Sequence, residues 1–109
     1  MIITENIRSL DNDHFEILAT TNRMLWLRSR LSGEEFIITD YNVHRRLTGK
    51  GRGYPWSVYH RHNNQELCHY HSNEKSFQDA LRHIMSHDRK VIWQQQKAIH
   101  NTIININQQ

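Results

Sequence analysis

One cysteine, one proline and no apolar run longer than four residues mark this 109-residue chain first by what it lacks. With Cys68 alone, no disulfide can form within the chain, and an unpaired thiol fits a reducing, cytoplasmic setting. The longest apolar run, Met24 to Leu27, is far too short to span a bilayer, so no membrane partner is expected. The segment from Met1 to Glu5 has neither the basic nor the apolar region of a signal peptide. The apolar share of 37% is low and predicts a thin core, yet three Trp, four Tyr and three Phe argue against disorder.

Acidic residues are missing from one long stretch: none occurs between Asp40 and Glu66. Catalytic signatures are missing as well. Nothing fits a Walker A loop around Gly49-Lys50-Gly51, no G-x-S-x-G occurs, and His83 and His87 frame Ile84 where a zinc-protease motif needs Glu. In a strand, Cys68 and His69 point to opposite faces, so His69 cannot serve Cys68 as a base. Metal-dependent ββα nucleases carry catalytic residues on a long inter-strand loop, but here only Asn63-Asn64-Gln65 intervenes. These absences lean toward a non-enzymatic protein, and nothing calls for a cofactor.

What is present reads as one α+β domain over residues 1–109. Alternation predicts strands over 14–20, 23–31, 36–45, 56–62 and 66–72, an antiparallel meander of about five strands. A helix through 14–31 competes with the first two. Leu25, Leu27 and Leu31 would line one face of the second strand. Ser72 or Asn73 would cap a helix over about 74–87, whose Phe77, Ala80, Leu81, Ile84 and Met85 form one apolar face. Asp88 would restart a second helix, and the tail from Asn101 to Gln109 would continue it or form an extended arm. Residues 1–13 read as a short helix or a flexible arm, and 101–109 as a flexible tail. The order strand–strand–strand–helix over 36–87 is loosely similar in topology to small DNA-binding domains that lay a three-stranded sheet in the major groove. No residue motif accompanies that likeness.

Three residue sets carry functional expectations. Arg45, Arg46, Lys50 and Arg52 surround a glycine-rich loop with no local counter-charge, and would contact the phosphates of a nucleic acid, supported by Arg61 and Tyr54. Arg61 is also placed to pair with Glu66 across its turn. The second set is histidine, present nine times. His60, His62, His69 and His71 form two H-x-H pairs on adjacent strands, which would suit a metal- or pH-responsive domain. Their convergence depends on register: in a two-residue turn His60 sits opposite Leu67 and His71 opposite Trp56, and the four rings do not meet, whereas with a four-residue loop His60 faces His69 directly. No carboxylate of the hairpin shares that face, and His83 and His87 are expected to flank the helix's apolar side, with His87 favouring the helix dipole. The third set is Ile92, Trp93, Ile99, Ile103 and Ile106, a C-terminal seam that would mediate homodimerisation or a protein partner. Which face of the 56–72 hairpin is buried stays open, because both carry apolar residues.

Overall fold

A computed structural model describes residues 10–40, 54–62 and 66–107. Strands β1 (Phe15–Thr20), β2 (Met24–Ser29), β3 (Glu35–Thr39), β4 (Trp56–Arg61) and β5 (His69–Glu74) form one antiparallel sheet in sequence order. Among the described residues one helix, α1 (Phe77–Asn107), packs on it. This is the expected α+β meander, and residues 14–31 are strands. Alternation decides that segment: Leu25 and Leu27 are fully buried, while Met24, Trp26 and Arg28 around them are half-buried. None of the described helices is long and apolar enough to cross a membrane.

Register builds the core. Leu25, Ile38 and Val58 align across β2, β3 and β4, and Leu27, Phe36 and His60 form the next row. Phe77, Ala80, Leu81 and Ile84 of α1 close over these rows. The buried face of the hairpin is therefore the one carrying Trp56, Val58 and His60. On the opposite face Arg61 stands across from Glu35, and its Nη2 donates to both carboxylate oxygens at 2.6 Å.

Boundaries differ from the sequence expectation for identifiable reasons. Leu31 is 66% exposed, because β2 ends at Ser29 and the chain turns through Gly33, whose φ of +78° suits glycine. β5 runs to Glu74 because Asn73 and Glu74 pair with Ser57 and Trp56. The helix consequently starts at Phe77. Its cap is Ser76, not Ser72 or Asn73: the Ser76 Oγ accepts the Asp79 N–H at 3.1 Å. No break occurs at Asp88. That side chain is fully buried and accepts hydrogen bonds from the Ser29 and Ser32 hydroxyls and from His14, so it anchors the helix instead of capping a new one. From Trp93 to Asn107 every residue of α1 is exposed. Most of the expected N-terminal arm, the end of the third strand, the glycine-rich loop, the Asn63-Asn64 turn and the last two residues lie outside the described residues.

Candidate metal centre

Six histidines and two glutamates gather between the β4–β5 hairpin and the first turns of α1. His60 is the centre. Its place in the Leu27–Phe36 row puts it 1% exposed, stacked on Phe36 with ring centroids 5.0 Å apart. His69 pairs directly with His60 across the strands, the register in which the two H-x-H motifs converge. The hairpin is not regular, however. Val58 pairs with Ser72 and Tyr59 with Tyr70, so His71 is an extra residue in β5. Such a bulge re-aims a side chain. Here the His71 ring lies 5.5 Å from His60 and 4.7 Å from both His83 and His87.

The helix supplies the lid. His83 and His87 are one turn apart on α1 and both are half-buried. The expectation that they flank the apolar face without turning inward is therefore corrected. His87 sits 4.6 Å from His60 and edge-on to Phe36, following the buried Ala80 and Ile84 around the same side of the helix.

Two carboxylates also reach the cluster, which corrects the expectation that none shares its face. Glu34, in the turn before β3, is 7% exposed. Its Oε2 lies 2.5 Å from His60 Nε2 and 3.7 Å from His87 Nε2, while Oε1 lies 3.2 Å from His62 Nδ1. Glu74, opposite Trp56, brings Oε1 within 3.4 Å of His83 Nδ1, and His83 Nε2 shares a proton with His71 Nδ1 across 2.5 Å. Adjacent residues on a strand face opposite ways. Glu35, in β3, points away from its strand neighbour Phe36 and meets Arg61, while Glu34, just before the strand, reaches the histidines.

Burial sets the charge state. His60 has its pKa held below 6.5 because desolvation outweighs the hydrogen bond and attraction from Glu34, with His62 and His69 adding to the depression. The Glu34 contact is accordingly a neutral imidazole N–H donating to a carboxylate. Desolvation, then the neighbouring His83, His87, His60 and His69, pushes His71 down to about 4. His87 is lowered by burial and by His60, against a smaller upward pull from Glu34. The fold therefore presents uncharged imidazoles, the form that ligates metals.

Two triplets have ligand atoms within 4.8 Å of one another: His60, His71 and His87, and His60, His62 and His69. The first is the better enclosed, since His62 and His69 are exposed. Its His87 Nε2 is buried with no hydrogen-bond partner. Leaving such an atom unpaired costs about 1–3 kcal/mol, and a bound cation would use its lone pair.

These depressed pKa values predict an acid-labile, metal-free fold. In the unfolded chain the same imidazoles titrate near 6.5, so between about pH 6.5 and 4 the unfolded state binds more protons. Stability is full above that window and falls as pH drops through it. Urea unfolding in chelator should show midpoints decreasing across the window; constant midpoints would refute the burial of neutral rings.

The other expected sites fare differently. Arg45, Arg46, Lys50 and Arg52 lie outside the described residues. Arg61 is not an uncompensated cation: Glu35 binds its guanidinium, which also lies 5.2 Å over Trp26. Glu66 instead accepts the His62 backbone N–H at 2.6 Å. Tyr54 is exposed, with the Lys75 ammonium 5.5 Å from its ring centre. Ile92 is half-buried, while Trp93, Ile99, Ile103 and Ile106 are exposed on α1. Comparison with family models, with curated proteins and with solved structures finds no match.

Proposed function

We propose that this protein is a transition-metal-binding domain in which His60, His71 and His87 ligate one first-row divalent ion, Zn²⁺ being the simplest choice. The carrying observation is the convergence of three largely buried imidazoles, one with a nitrogen that has no hydrogen-bond partner. Imidazole suits Zn, Cu, Fe and Ni, and three histidines with one further position is a familiar arrangement for zinc. Ligand nitrogens around a tetrahedral ion lie about 3.4 Å apart at bond lengths of about 2.0–2.1 Å. Triplet atoms within 4.8 Å of each other can close to that spacing by side-chain rotation.

Glu34 and Glu74 support the reading. Ligating histidines commonly give their other ring N–H to a carboxylate, which fixes the tautomer and makes the ring a better donor. Glu34 accepts from His60, and Glu74 acts on His71 through His83. Uncharged rings also mean that protons compete weakly for the site at neutral pH.

The test is calorimetric titration of the tag-free, chelator-stripped protein with Zn²⁺ and Ni²⁺. About one ion per chain should bind saturably. No saturable binding would end the reading. Nucleic-acid contact through residues 45–52 and self-association through the Ile seam remain proposals that no described contact favours over the histidine cluster.

A further inference from the structure

A pocket of about 260 Å³ opens beside the histidine cluster, lined by His71, His83, Ser86, His87 and Lys90. Two of its walls, His71 and His87, belong to the enclosed metal triplet, while His60 lies behind them at 1% exposure. An ion held by these three rings would border this pocket, with the His71 and His87 rings as the wall between them. Three protein ligands leave a tetrahedral ion one position for an outside group.

The chemistry of the walls says what that group is. Among the described residues no carboxylate lines the pocket. Ser86 and Lys90 are one helical turn apart on α1 and bring a hydroxyl and an ammonium to the same opening. Glu34 and Glu74 approach His87 and His83 to 3.7 and 3.4 Å but are not among the lining residues, so Lys90 is the charge that the pocket itself presents. Its volume falls below the range of about 300–1,000 Å³ typical of drug-sized ligands, so it suits one compact group. Lysine serves as a point charge for phosphate, whereas planar carboxylates are better matched by a bidentate arginine.

We propose, resting on the metal reading above, that this pocket binds a phosphate group, one oxygen on the metal and the others held by Lys90 and Ser86. The group is either free phosphate or the head of a phosphate monoester.

Co²⁺ makes this visible, because its absorption bands respond to a change in ligand. Adding inorganic phosphate to the Co²⁺-loaded protein should shift those bands saturably. In the Co²⁺-loaded K90Q variant the apparent Kd should rise about 10-fold, the effect of losing one charge-assisted hydrogen bond. Methyl phosphate run in parallel separates the sources: equal binding shows that the pocket accepts a monoester, and binding of inorganic phosphate alone assigns it to the free anion. A Co²⁺ spectrum unmoved by phosphate, or K90Q binding phosphate like the wild type, would overturn the proposal while leaving the metal site standing. Failure to bind Co²⁺ at all would remove both.

Discussion

The H87N variant should lose at least about 100-fold in Zn²⁺ affinity while remaining folded. Loss of a supporting partner around a metal typically costs about 10–100-fold, and loss of a ligand itself should reach or exceed that range. His87 is the informative ligand to remove. Its Nε2 has no hydrogen bond to lose in the metal-free protein, only a 3.7 Å approach to Glu34 Oε2, and the ring otherwise contributes its packing against Phe36, His60 and His71. The expected cost to the metal-free fold is therefore modest, about 1 kcal/mol from lost packing. E34Q should act differently, weakening binding within the supporting range of about 10–100-fold, because it alters the partner of His60 while keeping all three imidazoles. His100 lies exposed further along α1, outside both triplets, and H100N should bind Zn²⁺ like the wild type. Equal affinity for H87N and H100N in calorimetry would place any bound metal elsewhere.

The largest expected effect on stability belongs to Asp88. D88A should destabilise the metal-free fold by about 3 kcal/mol or more, a large share of the 5–15 kcal/mol by which small domains are stable. The carboxylate is fully buried and accepts from His14 Nε2 at 2.6 Å, from Ser29 Oγ at 2.7 Å and from Ser32 Oγ. Removing it takes the acceptor from three donors at once, the Ser29 hydroxyl fully buried and the His14 ring nitrogen and Ser32 hydroxyl partly so. It also releases α1 from the turn between β2 and β3. That turn depends on the same serine, since Ser29 Oγ accepts the N–H groups of Leu31 and Ser32. Glu34 follows in the same turn and His87 precedes Asp88 on the helix, so D88A should weaken metal binding as well. A shift below about 1 kcal/mol in urea unfolding would show that the network is not what docks the helix.

Much of this architecture was legible in the residue pattern. The meander followed from alternation, which marks Leu25 and Leu27 against Met24, Trp26 and Arg28 without ambiguity once a helix is rejected. The two H-x-H pairs identified four of the six histidines in the cluster, and the register with His60 facing His69 is the one observed. What pattern reading missed came from stopping the buried face of the helix at its apolar members. His87 lies three residues after Ile84, and Asp88 four after it, so helical spacing alone places both on the core side. A polar residue at such a position is a signal that it has partners. Glu34 was obscured because Ser32-Gly33-Glu34-Glu35 is a uniformly polar stretch in which nothing singles it out. Only the register of β3 with β4 shows that the pair divides between the two faces of the sheet, one to His60 and one to Arg61. The bulge at His71 left no local mark: there is no glycine, and the residues on either side are as regular as in any strand. It is set by tertiary fit, with the His71 ring held against His83 and His87 of the helix.

X-ray absorption spectroscopy at the zinc edge, on tag-free protein loaded with one equivalent of Zn²⁺, tests the central claim most directly. The account predicts a first shell containing three imidazole nitrogens at about 2.0–2.1 Å, with a lighter oxygen contribution filling the remaining position. The multiple scattering of bound imidazole should fall by one ring in H87N. A shell of oxygen ligands alone, or an imidazole signal unchanged in H87N, would contradict it.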